Sequence, residues 1–372
     1  MKLIINKTIL LENLDYVSKA LSTRNIIPVL NGIKFELTKD GLKLTASDTD
    51  LTIETFIDKK DIKDIKEEGT LIIIGRYLIE LIKKLPDEYI KIEDLDGTKA
   101  VIETDNSKYN FNCYDTSEFP DIKLEEVSNP IKLNSYAFRD IINQTSFAVS
   151  TQESRPLLTG INLKITNDLF ECTATDSYRL AKVAFKLPTN SKNVVNIVVP
   201  SRSINDFIKL ITNESEISLS VHSNKVLFKI NNIMFQTSLL NGSYPNTDNL
   251  IPKKFEYTID VDSNNFFNVI DRASLLAQAK EKNIIQMSIN NNILKITSQS
   301  QEIGKVEEKM ECVNETGKDI NISFSAKYML DAIKTVKGSK IQILLNGEIQ
   351  PIIIKSKDNK NLTQLILPIK TF

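Results

Sequence analysis

The sequence predicts an α+β protein in which one unit, two helices packed on antiparallel sheets, occurs three times in tandem. Three observations predict it. An amphipathic helix spacing recurs at a nearly constant offset, an opening helix precedes it in every copy, and a hairpin-like strand pair lies between the two.

Each copy opens on an alternating strand, KLIIN, IKLN or YTIDV. The helices that follow present Leu10, Leu14, Val17 and Leu21, then Phe138, Ile141, Ile142 and Thr145, then Phe266, Val269, Ile270 and Ala273. Residues three and four apart share one face of a 3.6-residue helix, and that face needs a sheet to cover it. The hairpin pairs are GIKFELTKDGLKLTASD, GINLKITNDLFECTATD and IIQMSINNNILKITSQS, in which Thr45 and Thr173 are 128 apart and Thr173 and Thr297 are 124 apart.

The apolar segments LIIIG, IVVPS and ISFSA lead into the second helices. These carry Leu78, Leu81, Ile82 and Leu85, then Ile204, Phe207, Ile208 and Ile211, then Met329, Ala332, Ile333 and Val336, at offsets of 126 and 125. EYIKIE, SEISLS and SKIQIL follow as strands. Polar stretches touching a proline, at Ser128–Asn129 and Pro252–Lys253, divide the chain into 1–128, 129–252 and 253–372.

Of 372 residues, 41% are hydrophobic and 26% charged, enough apolar material for several cores. Lys and Arg number 47 against 48 Asp and Glu, so the net charge of −1 exerts no whole-molecule pull on nucleic acid or membrane. The opening MKLIINKTILLENL lacks the apolar run of a signal peptide, and no segment reaches the roughly 18 apolar residues of a membrane helix. A soluble, cytoplasmic chain with no membrane partner is expected.

Enzyme chemistry finds little support. Cys113, Cys172 and Cys312 lie in alternating segments (FNCYD, FECTA, MECVN) and read as strand residues. The single His222 in SLSVHSNKVLF reads the same way. No phosphate-loop, dinucleotide, zinc-protease or nucleophile-elbow motif is present, and ASDTD (46–50) reads as a turn rather than a metal loop. No catalytic residue, metal or cofactor is expected.

Repeated units can stack openly or close into a ring when their ends match. Three units span part of a circle, and a head-to-tail dimer supplies six, with helices lining the hole. On those helices Lys19, Arg76, Lys83, Lys84, Arg139, Arg202, Lys209, Arg272, Lys280, Lys327, Lys334 and Lys337 stand against Glu12, Asp15, Glu80, Asp140, Asp206, Asp271 and Asp331. Twelve cations less seven acids is +5, leaving −6 for the rest of the chain. A positive lining suits the phosphate backbone of duplex DNA without sequence readout. A repeat scaffold that binds proteins and never surrounds DNA is the rival reading, and a nucleotidyltransferase acting in its own right a more distant one.

Particular stretches go further. STRNIIPVLNGI (22–33), ASDTDL (46–51), QESRPLLTGI (152–161), ATDSYRLA (174–181), LLNGSYPNTDNLIP (239–252) and SAKYMLDAI (325–333) resemble the bacterial DNA sliding clamps, the beta subunits of DNA polymerase III, and the resemblance runs the whole length. It implies a clamp-type fold and a homodimeric ring that tethers the replicative polymerase to double-stranded DNA as a processivity factor, acting at the nucleoid. Clamp loader, repair polymerases and ligase are the implied further partners, through short peptides.

By that resemblance Arg24, Arg76, Gln152, Pro156 and Leu157 contact DNA, and the helix cation Arg202 joins them. Gln152 reads equally as a phosphate donor or a loop cap. The partner-peptide cleft maps to Leu158, Thr175, Ser177, Tyr178, Arg179, Leu180, Pro245, Leu250, Ser325, Tyr328, Leu367, Pro368 and Ile369, and the dimer contact to the strand of Tyr109 and Phe111 against the helix of Leu275 and Leu276 of the other copy, residues that read equally as parts of each domain's own core. The chain departs from the family pattern at Pro156 and Leu157, where aromatics are frequent, at Tyr178 (often His), at Asn249 (often Arg) and in the tail LPIKTF.

Overall fold

Each repeat begins with a strand whose last side chain caps the next helix. Asn6 Oδ1 accepts from Thr8 N at 2.9 Å, Asn134 Oδ1 from Ala137 N at 3.0 Å and Asp262 Oδ1 from Asn265 N at 2.8 Å. The three caps lie 128 residues apart. Each satisfies N–H groups that the first helical turn leaves unbonded.

The structure is a computed structural model and describes residues 1–21, 27–187, 194–277, 283–336 and 338–370. Repeat 1 comprises β1 (Lys2–Asn6), α1 (Lys7–Val17), β2 (Gly32–Thr38), β3 (Gly41–Ser47), β4 (Leu51–Asp58), β5 (Ile62–Glu67), β6 (Gly69–Ile74), α2 (Gly75–Lys84), β7 (Tyr89–Leu95), β8 (Lys99–Glu103) and β9 (Lys108–Tyr114). Repeat 2 comprises β10 (Ile131–Asn134), α3 (Ser135–Thr145), β11 (Gly160–Thr166), β12 (Leu169–Thr175), β13 (Arg179–Lys186), β14 (Val195–Pro200), α4 (Ser201–Ile208), β15 (Glu216–Val221), β16 (Lys225–Ile230) and β17 (Ile233–Ser238). Repeat 3 comprises β18 (Tyr257–Asp262), α5 (Ser263–Ala277), β19 (Ile284–Asn290), β20 (Ile293–Ser300), β21 (Gly304–Glu311), β22 (Val313–Asn314), β23 (Ile320–Ser325), α6 (Ala326–Thr335), β24 (Lys340–Leu345), β25 (Ile352–Ser356) and β26 (Leu362–Ile366). Six helices on antiparallel sheets in three like repeats is the α+β fold the sequence predicts.

Contacts divide the chain into two compact units, Met1–Phe138 with Ser203–Leu239, and Arg139–Arg202 with Leu240–Phe372. Sheet continuity explains the division. In the first unit a 13-stranded sheet runs β10-β15-β16-β17-β4-β3-β2-β6-β9-β8-β7-β1-β5, so β17 of repeat 2 hydrogen-bonds β4 of repeat 1. In the second a nine-stranded sheet runs β14-β11-β12-β13-β26-β25-β24-β18-β22, so β26 of repeat 3 hydrogen-bonds β13 of repeat 2, beside a four-stranded sheet β21-β20-β19-β23.

The predicted helix faces are buried: Leu10, Leu14, Val17, Phe138, Ile142, Phe266 and Ile270 at one set of positions, Leu78, Ile82, Ile204, Phe207, Met329 and Ile333 at the other. In the first unit Phe138, Phe207, Phe228 and Phe235 form one aromatic cluster, with the Phe207 and Phe228 rings stacked at 4.6 Å. Burying each such ring is worth about 1.5–3 kcal/mol. Two-residue hairpin turns hold Asn167, Asn231 and Asn291 at φ 54°, 50° and 52°, a backbone region asparagine tolerates.

Some helix ends and strand assignments differ from expectation. α1 stops at Val17, and Leu21 follows a 3₁₀ turn (Ser18–Ala20), half-buried. α4 stops at Ile208, yet Ile211 is still buried. Cys312 sits between β21 and β22, where its N–H reaches Asn292 O at 2.9 Å. His222 falls one residue past β15, with Nε2 3.1 Å from Glu125 O. No helix among the described residues is long and apolar enough to cross a membrane.

Candidate functional site

ATDSYRLA joins β12 to β13, and its backbone accounts for it residue by residue. Asp176 Oδ1 accepts from Tyr178 N at 2.9 Å and Arg179 N at 3.0 Å, closing a turn that holds Ser177 at φ 78°. Thr175 Oγ1 donates to Arg179 O at 2.6 Å and accepts from Ser177 N at 3.1 Å. Tyr178 is left 60% exposed. Leu180 turns under the sheet to join buried Leu344, Ile353 and Leu365, with Ile251 and Phe255 packed on them.

The tail is tied to the same turn. Leu367 N donates to Tyr178 O at 2.9 Å and Ile369 N to Ser323 O at 2.7 Å, with Leu367 exposed and Pro368 and Ile369 half-buried. Ser325 caps α6 through Tyr328 N and is buried. Leu158 is buried in the 3₁₀ turn Pro156–Thr159, and Leu250 is exposed at the end of the turn Asp248–Leu250. Pro245 borders a polar cavity of about 210 Å³ lined also by Asn162, Glu171, Thr173, Lys182 and Asp248. Beside Pro245, the Tyr244 hydroxyl accepts from Thr175 N at 3.1 Å, and burial pushes it well above the ordinary tyrosine range.

Arg179 occupies the junction of these elements. Nε donates to Asp176 Oδ2 at 3.0 Å, and Nη1 to Asp331 Oδ2 on α6 at 2.7 Å. Its guanidinium lies 4.4 Å from the Tyr328 ring centroid and 5.3 Å from that of Phe147. The mapped residue is therefore engaged inside the protein, 9% exposed. Asp331 lies within SAKYMLDAI but reads in the sequence only as a helix acid, and Phe147 is not singled out there. Repeat alignment exposes them: Asp331 follows Asp206 by 125, and Phe147 stands 128 after Lys19, where the residue type changes.

The mapped DNA contacts fall in both units, Arg76 in the first and Gln152, Pro156, Leu157 and Arg202 in the second. Arg76 is exposed on α2, with Nε 3.7 Å from Glu80, beside a cavity of about 590 Å³ that Tyr77, Lys83 and Tyr114 also line. Arg202 is exposed in the first turn of α4. Gln152 and Pro156 are exposed on one loop, whose Arg155 donates to Ser177 Oγ at 3.0 Å. Leu157 is half-buried with its methyls against Gly242, where an added Cβ would lie 2.8 Å from Cδ1. Arg24 lies outside the described residues.

The helix charge is smaller than the sequence count. Lys7 belongs to α1, while Lys19 lies in a 3₁₀ turn and Lys209 just beyond α4; Lys280 and Lys337 lie outside the described residues. Among the described residues the six helices carry nine cations and seven acids, an excess of +2, against +3 for the sequence count once Lys280 and Lys337 are set aside. Several cations are paired, Lys83 with Asp15 at 3.0 Å and Arg272 with Glu308 at 2.8 Å. Of the mapped dimer residues, Tyr109 and Leu275 are 38% and 65% exposed, with Phe111 and Leu276 half-buried.

Comparison with known proteins decides the family. Family models of the DNA polymerase III beta subunit match residues 1–123 (N-terminal domain), 132–246 (central domain) and 248–370 (C-terminal domain). The chain belongs to the DNA polymerase III beta subunit family. It is 38% identical to the beta sliding clamp of Bacillus subtilis and 36% identical to that of Staphylococcus aureus, with 100% of each chain covered. Crystal structures of the Bacillus subtilis sliding clamp and the Streptococcus pneumoniae beta chain superpose with TM-scores of 0.95 at 37% and 32% identity, each over 100% of both chains. As a member of this family the chain is a DNA sliding clamp, a non-catalytic accessory subunit of the polymerase.

Proposed function

We propose that two copies of the chain close head to tail into a ring around double-stranded DNA, and that the turn, α6 and the tail form a cleft for short peptides of the replicative polymerase, the clamp loader, repair polymerases and ligase. The chain then works in the cytoplasm at the nucleoid. Repeat limits of 1–128, 129–252 and 253–372 accompany this reading, supported by the spacing of the three family-model matches.

One observation carries the ring. β17 and β26, the last strands of repeats 2 and 3, pair with β4 and β13 in one register: Thr237↔Leu51 and Ile233↔Thr55, Ile366↔Arg179 and Leu362↔Val183. Leu51 and Arg179 are 128 apart, as are Thr55 and Val183. By the ladders that precede them, β9 corresponds to β17 and β21 to β4. Among the described residues, Lys108–Asn112 of β9 and the outer side of β21 have no such partner. Unpaired strand edges are templates for another strand. Carrying the internal register across sets Phe111 opposite Gly304, Tyr109 opposite Val306 and Lys108 opposite Glu307 of a second copy, with Leu275 and Leu276 on the helix that backs β21.

Arg24, Arg76, Gln152 and Arg202 are the phosphate contacts in this reading, with Pro156 and Leu157 alongside them. A small positive excess on the helices, +2 over the described residues, fits holding DNA by topology, which leaves the duplex free to slide. The deciding measurement is solution mass by light scattering with loader-dependent retention on nicked circular and linear DNA. The wild type is expected to be a dimer that stays on circles and runs off linear ends. Lys108→Glu or Glu307→Lys alone is expected to weaken dimerisation at least tenfold, and the double reversal to restore it. A monomeric wild type, or equal loss from both DNAs, would favour the scaffold reading.

A further inference from the structure

We propose that Asp331 is a positioning residue of the peptide cleft, acting through Arg179 and never touching the peptide. The inference rests on the cleft reading above and deepens it.

The turn at 176–179 does not require an arginine. Repeat 1 builds the same turn at 48–51, with Asp48 Oδ1 accepting from Asp50 N and Leu51 N, Thr49 at φ 82°, and buried Leu51 where Arg179 stands. A leucine therefore serves the backbone and the core. Replacing it by a guanidinium that is 9% exposed incurs a desolvation cost that packing alone does not demand. What the arginine adds is reach. It joins the turn that carries Ser177 and exposed Tyr178 to Asp331 and Tyr328 on α6, and to Phe147 after α3. Tyr178 O in turn holds the tail at Leu367.

One side chain thus fixes three walls of the cleft. With Nε on Asp176, Nη1 on Asp331 and aromatic rings near the guanidinium, little of Arg179 is left to meet a ligand. Asp331 determines where that guanidinium points, and so how far the turn stands from α6.

The test uses the full-length clamp with the purified catalytic subunit of the cognate DNA polymerase III as probe, by biolayer interferometry, beside melting curves of the same variants. Asp331→Asn is expected to weaken polymerase binding about tenfold, the order that follows from losing a charge-assisted, partly buried hydrogen bond. Arg179→Leu with Asp331→Leu, which installs the residue repeat 1 uses at this turn, is expected to keep or raise the melting temperature while weakening binding as much. Asp331→Glu should recover most of the affinity. A merely structural role would make affinity and melting temperature fall together, and that result would overturn the proposal. So would wild-type affinity in Asp331→Asn together with loss in Arg179→Leu, which would make Arg179 a direct contact. Absence of binding by the wild type would overturn the cleft reading and this role with it.

Discussion

The turns at 48–51 and 176–179 share a backbone and differ in purpose. Both are closed by an aspartate on two main-chain N–H groups, both hold the next residue at φ near 80°, and both begin the strand that pairs with the following repeat. Even the helix acid is repeated, since Asp206 and Asp331 are 125 apart. What changes is the surroundings: Leu51 with Lys19 and, from repeat 2, Ser203 at the flanking positions, Arg179 with Phe147 and, from repeat 3, Tyr328. Where the aromatic faces are absent the acid turns elsewhere, and Asp206 pairs with Lys209 at 2.8 Å. A repeated scaffold supplies the position, and a few side chains make one copy of it a site.

The largest effect should come from forcing repeat 1 to copy repeat 2. Leu51→Arg places a guanidinium where repeat alignment sets Lys19 and Ser203 in place of the rings of Phe147 and Tyr328, and is expected to cost about 3 kcal/mol in urea unfolding, the order for a poorly compensated buried charge. Adding Lys19→Phe and Ser203→Tyr should recover most of that loss. No recovery would mean that the aromatic plates are not what permits the arginine.

A smaller difference should separate the two aspartates. Asp48→Ala removes a turn acceptor and is expected to cost about 1 kcal/mol, as loss of a helix cap does. Asp176→Ala also strips one partner from Arg179 and is expected to cost about 2 kcal/mol. Equal losses in thermal or urea unfolding would show that the Arg179–Asp176 bond adds nothing beyond the turn.

The same contrast shows how much was readable in advance. The three repeats, all six helices and the hairpins followed from apolar periodicity, because a buried face leaves its period in the sequence. The family was readable from ATDSYRLA and its companion stretches, and the fold followed with it. The caps Asn6, Asn134 and Asp262 were legible only as an afterthought to the repeat, since a capping side chain signals through one atom rather than a pattern. Strand pairing between repeats left no local mark, which is why continuous sheets, and not repeat ends, determine the two compact units. Arg179 could be placed in the cleft by resemblance, but its engagement by Asp331, 152 residues away, depends on packing that no spacing encodes. Over the described residues the helix charge was overcounted by one, because Lys19 and Lys209 read as helical yet lie just beyond the last α-helical turns, while Lys7, inside α1, was left out.

The smallest effect, and the finest division between the two junctions, is in their response to acid. Glu54 and Lys182 hold the same ladder position, opposite Thr45 and Thr173. Burial pushes Glu54 above the usual carboxylate range, with Lys43 at 3.7 Å drawing it partly back. In repeat 2 the Lys182 hydrogen bond holds Asp248 below its usual range. The signs are opposite. Ionised Glu54 costs stability at neutral pH, a cost that fades as pH falls through its raised value. Asp248 contributes stability that is full above the unfolded aspartate value of about 3.9 and is lost as pH falls through its depressed one. Glu54→Gln is therefore expected to stabilise at pH 7 and to be neutral well below pH 4, whereas Asp248→Asn should destabilise at pH 7 and lose that effect in acid. Urea unfolding across this range reads both. Destabilisation by Glu54→Gln at pH 7 would make the Glu54 carboxylate a net partner of Lys43, and the two ladders would then respond alike.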